Sequence, residues 1–229
     1  MRLRAGQGTE LEVALPAEVE GPPGRDADPQ ARAGSQEDGE LAATRDRHRR
    51  WYADRWRGAP RSDQLLVDVR ENYADFVEAL RTSLEDRDDD AVADLAIALA
   101  RFWAFTEMVA SGRRWLDQVL ASDLLTETER ARILVMRAVL SLHVDVEACE
   151  RDLEAALPVL EGAHECGWLI TLHANVALIG LNRGQFGPAA ESMRRAVLLA
   201  QEDHDPREAD TTSGLALIQA ISAPDEARE

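Results

Sequence analysis

From Glu40 onward, apolar residues recur every three or four positions, which is the spacing of amphipathic helices. The segment 63–84 shows the pattern most fully, with one apolar stripe formed by Leu65, Leu66, Val69, Tyr73, Phe76, Val77 and Leu80. The connections between such segments are short, and helices joined by short connections pack as antiparallel neighbours. The pattern therefore predicts an all-α fold built from antiparallel helical hairpins.

Turn residues and prolines between the periodic segments mark the helix boundaries. Pro188 and Pro206 each stand where a helix should begin, and proline is tolerated in the first turn of a helix. We predict helices at 41–57, 63–84, 91–105, 109–120, 126–142, 146–160, 165–183, 188–201 and 206–221. They group into hairpins at 41–84, 91–120, 126–160 and 165–201, followed by a final helix at 206–221.

Residues 1–40 differ in composition from the rest of the chain. They hold the run Gly21-Pro22-Pro23-Gly24 with further glycines, prolines and aspartates, a mixture that cannot sustain a packed element. The segment 11–15 alternates like a short strand but has no partner strand. We expect a mostly disordered leader at 1–40 and a helical repeat domain at 41–229.

Gly112 interrupts an otherwise helical run, where it should cost about 1 kcal/mol relative to alanine. A glycine at such a position is expected to have a packing reason. Trp103 lies one helix earlier, and Trp115 follows three residues later. We therefore predict a hairpin whose second helix approaches the first at Gly112, with both tryptophans buried.

Three hairpins share a small-large-small spacing on their second helices when they are superposed in register. The triplets are Gly112, Leu116 and Val119, then Cys149, Leu153 and Ala156, then Ala189, Met193 and Ala196. The steps between them are 37 and 40 residues, against about 34 residues in tetratricopeptide repeats. We predict a right-handed superhelix of tetratricopeptide-like hairpins; the alternative is a generic helical bundle with alanine-rich seams.

The final helix, around Gly214, resembles the first helix of a hairpin that lacks its partner. Its apolar residues are Leu215, Leu217, Ile218 and Ile221, whereas a repeat array normally ends in a capping element with a polar outer face. We expect either an incomplete array or a homodimer contact through this helix.

All 26 basic residues are arginine, and the chain contains no lysine. This absence excludes a Walker A site, a Schiff base and a serine–lysine pair, because each needs an amine. The net charge of −17 argues against general nucleic-acid binding, which needs a basic face. No motif assembles a nucleophile, a base and an orienting group, so we predict a protein that is not an enzyme and needs no cofactor.

An acidic run between two predicted helices has the residue types of a calcium loop without its full pattern. Asp86, Asp88 and Asp90 alternate as calcium ligands do, but Ala91 replaces the required glycine and Ile97 replaces the glutamate at position twelve. Acidic residues before a helix also cap it and complement its dipole. We predict that structural role and no calcium.

His164, Cys166 and His173, with Cys149 earlier in the chain, form the cluster that most resembles a zinc site. His164 and Cys166 are two positions apart, so on a helix they point in different directions, and Cys149 is more simply a small residue of the packing seam. We predict no metal.

Two cysteines make no disulfide framework, and no apolar run is long enough to span a bilayer, so we expect a cytoplasmic protein without a membrane partner.

In a helical-repeat array, the first helix of each hairpin lines a concave inner surface. By the repeat register, the residues expected on this surface are Asp94, Ile97, Arg101, Thr171, Ala174 and Leu178, with Asn175 at its edge. An arginine near an asparagine suits a carboxylate or a peptide terminus. We therefore predict a protein or peptide partner for these residues.

A basic helix at 45–57 carries His48, Trp51, Tyr52 and Trp56 among its arginines. Such a helix can contact phosphates while an aromatic ring stacks on a base. The simpler interpretation is a solvated arginine face over an apolar stripe. Contact with nucleic acid through this helix is the alternative function, although the acidic remainder of the chain predicts no nucleic-acid binding by this chain alone.

Several motifs occur in the order and at the spacings found in large bacterial regulators. They are Arg-Asp-Arg-His-Arg-Arg-Trp-Tyr at 45–52, Glu-Asn-Tyr at 71–73, Phe76, Ala79-Leu80, Phe102-Trp103 and Gly112-Arg113-Arg114-Trp115-Leu116. Residues 36–122 resemble the helical repeat region of LuxR-type and AfsR-type transcriptional regulators with a signal-transduction ATPase core. The chain departs from that pattern at Glu107, in place of a turn glycine, and at Ser111, in place of an acidic residue.

The resemblance implies a sensor or scaffold module that binds a ligand or protein partner within a bacterial transcriptional regulator. ATP hydrolysis does not carry over, because the chain has no phosphate-binding loop, and no helix-turn-helix follows the repeats to bind DNA. The predicted function is a non-catalytic protein- or ligand-binding repeat module. An inert gene fragment is a third interpretation.

Overall fold

The computed structural model describes residues 39–40, 43–54, 63–106 and 108–222. The chain divides into two compact units, Met1–Glu40 and Leu41–Glu229, and only the last two residues of the first are described. Throughout the described ranges the regular secondary structure is helical, which confirms the predicted all-α class. The helices are α1 (43–54), α2 (Asp63–Glu71), α3 (Tyr73–Glu85), α4 (Asp89–Ala104), α5 (Val109–Ala121), α6 (Glu127–Ser141), α7 (Val146–Gly162), α8 (Cys166–Asn182), α9 (Phe186–Glu202) and α10 (Glu208–Ser222).

Some expectations fall outside the described residues. They are the leader up to residue 38 with its strand-like segment 11–15, Trp56 and the end of the first helix near Arg57, and the turn residue Glu107. Pro188 lies in the first turn of α9, as expected, but Pro206 lies in the turn before α10 rather than inside that helix.

The predicted helix 63–84 is in fact two helices, separated at Asn72. Asn72 has φ −116° and ψ 29°, which is not helical, and its side-chain amide donates to the carbonyl of Asp68 at 3.0 Å. Asparagine side chains compete with the backbone for such carbonyls, which favours a break in a helix. The apolar stripe continues across the break, so the hydrophobic pattern alone did not reveal it.

Polar residues at the helix starts explain several boundaries. Thr126 and Glu129 form a capping box, in which each side chain accepts a hydrogen bond from the other residue's backbone N–H. Asp145 caps α7 by accepting from the N–H of Ala148 at 3.1 Å. Ahead of α4 the acidic run supplies Asp88 as the N-cap, although its side chain makes no capping hydrogen bond, and two further aspartates in the first turn complement the helix dipole.

The close approach at Gly112 is present, and it joins three helices. A Cβ atom at Gly112 would lie 2.8 Å from Cε3 of Trp103 on α4 and 2.9 Å from Cδ1 of Leu140 on α6. Trp103 is completely buried, and its Nε1–H donates to the hydroxyl of Tyr73 at 3.1 Å. Trp115, by contrast, is only partly buried at the margin of the same core, so the expectation of full burial was wrong for this second tryptophan.

The three predicted small-large-small triplets are buried in full. Eight of their residues are at most 6% exposed, and Gly112 is buried with them. A similar close approach joins α8 and α9, at Gly180 and Ala189. A Cβ atom on the glycine would lie 3.1 Å from the alanine Cβ. The spacing therefore marks the faces on which these helices pack.

Four of the helix connections share one backbone conformation. The second residue after the end of the preceding helix has a positive φ in each connection, namely Arg87 at 57°, His164 at 55°, Gly184 at 71° and His204 at 51°. The N–H of the third residue donates to the carbonyl five positions earlier, at 2.8 to 3.0 Å, in the pairs Asp88–Ser83, Glu165–Leu160, Gln185–Gly180 and Asp205–Ala200. This is the 6→1 bond of the Schellman motif. Only one of the four carries the glycine that would signal it in a sequence.

Helices along the chain pack with their neighbours in sequence, and alternate helices also meet. The pairs α6 with α7, α8 with α9 and α9 with α10 are in extensive contact. In addition, α6 contacts both α4 and α8, so it lies between these two first helices of neighbouring hairpins. Three clusters of buried apolar residues follow one another along the chain in the same order as the hairpins.

Candidate functional site

The residues predicted to line a concave surface come from α4 and α8, and several face inward. Ile97 is 5% exposed and Asn175 is 7% exposed, so neither presents a side chain to a partner. The amide of Asn175 donates instead to the carbonyl of Thr171 at 2.8 Å. Asp94 and Arg101 are half-buried, and Leu178 is exposed. Because Asn175 is buried within α8, the expected arginine–asparagine pair for a carboxylate is not assembled.

Thr171 is already engaged by an arginine that the sequence did not single out. Arg207 donates to the hydroxyl of Thr171 at 2.7 Å and to the carbonyl of Gly167 at 2.8 Å. Its guanidinium is held by the buried carboxylate of Asp205, with contacts of 2.6 and 2.8 Å. This interaction ties the turn before α10 to the first turns of α8. Thr171 therefore supports the fold at this position.

The basic helix α1 uses one of its arginines inside the molecule. Arg49 is 6% exposed, and it forms ion pairs with Asp86, with Asp88 at 3.1 Å and with Asp46 at 3.6 Å. Asp86 and Asp88 belong to the acidic run that had the residue types of a calcium loop, whereas Asp46 lies on α1 itself. Tyr52 is also buried. The arginine face expected on α1 is therefore smaller than the sequence suggests, and Arg49 is not part of it.

The cysteine and histidine residues considered as metal ligands are not brought together. Among the residues that the structure describes, the one group whose ligand atoms lie within 4.8 Å of one another is Asp88, Asp89 and Asp90. Burial raises the pKa of the Cys149 thiol to about 11, which keeps it protonated at neutral pH, and metal ligands must be deprotonated. Burial also lowers the pKa of His173. Both residues are accounted for by packing.

A network of arginines and aspartates connects α5, α6 and α7. Arg137 makes two parallel contacts with Asp152, at 2.6 and 2.8 Å, and a third with Asp117 at 2.7 Å. Arg113 pairs with Asp145 at 3.1 Å. The cleft beside them measures about 380 Å³. Carboxylates neutralise both of these guanidinium groups, whereas Arg151, which also lines the cleft, is exposed and donates to the carbonyl of Glu147 at 3.2 Å.

The pKa of the Asp145 carboxyl is lowered mainly because it accepts a hydrogen bond from the N–H of Ala148, and further because it accepts one from Arg113. Other ion pairs of this kind also join residues that are distant in sequence. Arg132 pairs with Glu165, and Arg183 with Glu150, each over 33 positions. Arginine and carboxylate residues 33 positions apart were the signal in the sequence that could have found them.

An apolar cleft lies where α7 meets the α8–α9 hairpin. Its volume is about 280 Å³, and its lining residues are Glu150, Leu153, Glu154, Leu157, Leu172, Val176, Ile179, Gly180, Gln185, Pro188 and Ala189. Pockets for drug-sized ligands usually measure about 300 to 1,000 Å³. The apolar cleft is therefore large enough for one or two side chains of a partner rather than for a bulky cofactor.

The polar groups at the apolar cleft are mainly hydrogen-bond acceptors. Glu150 is held by Arg183 at 2.8 Å, whereas Glu154 is exposed and has no ion-pair partner in the described part of the chain. Pro158 lies inside α7, and proline has no N–H to donate to the carbonyl four residues earlier. The carbonyl of Glu154 therefore lacks its helical hydrogen bond. Sequence reasoning missed this cleft because it lies between hairpins.

None of the described helices is both long enough and apolar enough to cross a membrane. Comparison of the chain with family models, with curated proteins and with solved structures gives no match.

Proposed function

We propose that this protein is a non-catalytic repeat module that binds a peptide or protein partner in the apolar cleft between α7, α8 and α9. The observation that carries the proposal is an open apolar cleft with the exposed residue Glu154 in its lining. An apolar side chain of the partner fills the cleft. A neighbouring arginine or lysine of the partner meets the carboxylate of Glu154, and the net charge of −17 favours such a basic segment.

The repeat interpretation supports this location. Buried triplets with one spacing and four turns with one hydrogen-bonding pattern favour tetratricopeptide-like hairpins over a generic bundle. In arrays of this kind, neighbouring repeats together form the extended concave surfaces that bind partners. A right-handed superhelix belongs to the same proposal.

A sensor or scaffold role in a bacterial transcriptional regulator is a further part of the proposal. It rests on the resemblance of residues 36–122 to the repeat regions of such regulators. A cytoplasmic location follows from that role, and the absence of catalytic motifs and of lysine from the sequence favours binding over catalysis.

The test is fluorescence anisotropy with labelled twelve-residue peptides that contain one central leucine. One set has arginines beside the leucine, and a matched set has glutamates. We expect the arginine set to bind at least about tenfold more tightly, because opposite charges at a partly desolvated rim contribute about 1 to 2 kcal/mol. The absence of saturable binding by either set would contradict the proposal.

A pair of charge reversals on α7 sharpens this test. Glu154→Arg should weaken binding of the arginine peptides and strengthen that of the glutamate peptides. Glu161→Arg makes the same change in charge at an exposed position of the same helix that does not line the cleft. Equal effects of the two reversals would show that net charge, rather than the cleft, governs binding.

The alternative function, contact with nucleic acid through the helix at 45–57, has weaker support. Arg49 is buried among three aspartates, so only exposed arginines such as Arg47 and Arg50 remain for phosphates. DNA retention in a gel shift that falls steeply with salt and is lost in an Arg47→Ala, Arg50→Ala double variant would favour this alternative.

A further inference from the structure

A polar cleft lies between α5, α6 and α7, beside the network of arginines and aspartates. Three arginines, three aspartates, Ser141 and Ala148 line it, and its volume is about 380 Å³. This volume is at the lower end of the usual range for ligand pockets, about 300 to 1,000 Å³. None of the residues that line the polar cleft also lines the apolar cleft, so binding at the two sites can be tested independently.

Ser141, on α6, has a buried hydroxyl that makes no hydrogen bond. The residue is completely buried, and its Oγ has no hydrogen-bond partner in the part of the chain that the structure describes. Ser83 of α3 is equally buried, but its hydroxyl donates to the carbonyl of Ala79, four residues earlier, at 2.8 Å. Buried side-chain hydroxyls normally have such a partner. Because Ser141 lines the polar cleft, a ligand bound there can supply that hydrogen bond.

The polar cleft also holds a positive charge that no carboxylate of the described residues pairs with. Arg151 of α7 is exposed, and its Nε–H donates to the carbonyl of Glu147 at 3.2 Å. Its charge acts on the cleft, because it adds to the lowering of the pKa of Asp145 that the N–H of Ala148 and Arg113 mainly produce. The two terminal nitrogens of Arg151 can therefore donate to a ligand.

The negative counterpart of Arg151 is Asp117 of α5. Arg137 is shared between Asp152, which it holds by two parallel contacts at 2.6 and 2.8 Å, and Asp117, which it contacts through one nitrogen at 2.7 Å. One guanidinium thus faces two carboxylates. The side chain of Asp117 is 58% exposed, so this carboxylate can accept a hydrogen bond from a ligand as well.

The ligand that complements both charges is a zwitterion. The polar cleft has no net charge, because three arginines balance three aspartates. An anion alone would leave the excess negative charge at Asp117 unmatched, and a cation alone would leave Arg151 unmatched. The guanidinium fork suits a planar carboxylate, and an ammonium group suits Asp117. A small molecule that carries both groups is a free amino acid.

We propose that the polar cleft is a binding site for a free amino acid. The carboxylate of the ligand binds the terminal nitrogens of Arg151, its ammonium group binds the carboxylate of Asp117, and the hydroxyl of Ser141 forms a hydrogen bond with it. This site is separate from the apolar cleft, and it gives the protein a small-molecule ligand in addition to its peptide or protein partner.

The test is a screen of the full chain against the free L-amino acids by ligand-detected NMR, followed by isothermal titration calorimetry of those that bind. We expect at least one of them to bind with a Kd of about 1 mM or lower. Its N-acetyl derivative lacks the ammonium group and its amide lacks the carboxylate, so each should bind at least about tenfold more weakly. The proposal is overturned if no amino acid binds at up to about 10 mM, or if both derivatives bind as tightly as the amino acid.

Two substitutions test whether the amino acid binds in the polar cleft. Ser141→Ala and Arg151→Gln should each weaken its binding at least about tenfold, because each removes a hydrogen bond to a charged ligand. Neither change removes a side-chain contact between helices, since Arg151 is exposed and the hydroxyl of Ser141 bonds to no described residue. Circular dichroism checks that both variants keep their helical content.

Each substitution has a matched control. Ser83→Ala removes a hydroxyl that is equally buried but does not line the polar cleft, and Arg195→Gln removes an exposed arginine of α9. Both controls should bind the amino acid as tightly as the wild-type protein does. Unchanged binding in either Ser141→Ala or Arg151→Gln, or an equal loss of binding in its control, would overturn the proposal.

Discussion

The α4–α5 and α8–α9 hairpins bring two helices together at a glycine in opposite ways. In α4–α5 the glycine is on the second helix, and a completely buried tryptophan packs over it. In α8–α9 the glycine is on the first helix, and the residue opposite is an alanine. Either arrangement removes one Cβ atom from the contact. The geometry thus requires one absent side chain and does not specify which helix lacks it.

The two contacts differ in how far their atoms can shift to make room for a Cβ atom at the glycine. Trp103 is fixed by its hydrogen bond to Tyr73 and by the surrounding core, so it cannot retreat from Gly112. Ala189 faces Gly180 at distances of 3.1 Å and more, which a shift of a few tenths of an ångström relieves. We therefore expect mutations at the contact to reduce the free energy of unfolding more in the α4–α5 hairpin than in the α8–α9 hairpin.

The largest expected loss of stability comes from removing the side chain of Trp103, the large residue of the α4–α5 contact. Trp103→Ala should reduce the free energy of unfolding by about 4 kcal/mol, because it leaves a cavity in a closed core. Trp115→Ala, in the same hairpin, should cost only about 1 to 2 kcal/mol, because that ring is partly exposed. Urea denaturation of both variants measures the difference. Equal losses would show that Trp103 is not the centre of this contact.

A smaller effect is expected from adding one methyl group at each glycine. Gly112→Ala should destabilise the protein by about 2 kcal/mol, because the new Cβ would overlap Trp103 and Leu140. Gly180→Ala should be neutral to within about 1 kcal/mol, because the helix propensity of alanine offsets a milder contact. Thermal melts of the two single variants make the comparison. A larger loss for Gly180→Ala than for Gly112→Ala would contradict our account of the contacts.

The smallest expected effects concern the turns. Gly184→Ala should cost about 1 kcal/mol, since an L residue is strained at a positive φ. The equivalent residue of the preceding turn of this type is His164, with φ 55°, and His164→Gly should stabilise the protein by about 0.5 kcal/mol. Chemical denaturation of each variant measures the change in the free energy of unfolding and so its sign. Destabilisation by His164→Gly would mean that its side chain contributes more than its backbone strain costs.

Much of the fold could be predicted because it depends on local pattern. Helical periodicity placed most of the helices, and a glycine in a helical run located the approach to Trp103. The break at Asn72 could not be found in this way, because the apolar stripe continues across it. Three of the four repeated turns were equally hidden, because their positive-φ residues are not glycine.

The candidate binding surface was predicted less well, because register identifies a helix face but not its surroundings. Ile97 and Asn175 lie on the expected helices, yet both are buried. The hydroxyl of Thr171 accepts a hydrogen bond from Arg207, and Arg49 forms ion pairs with three carboxylates. The apolar cleft was not predicted at all, because residues from three helices and a turn line it.

By itself, the sequence determined that this protein is helical and on which faces its second helices pack. Both follow from spacing along a helix, which fixes the side of the helix on which a side chain lies. Only the tertiary structure decided which tryptophan is buried, which arginines are neutralised and where a cleft opens. Those properties depend on residues that are distant in sequence and meet only when neighbouring hairpins pack together.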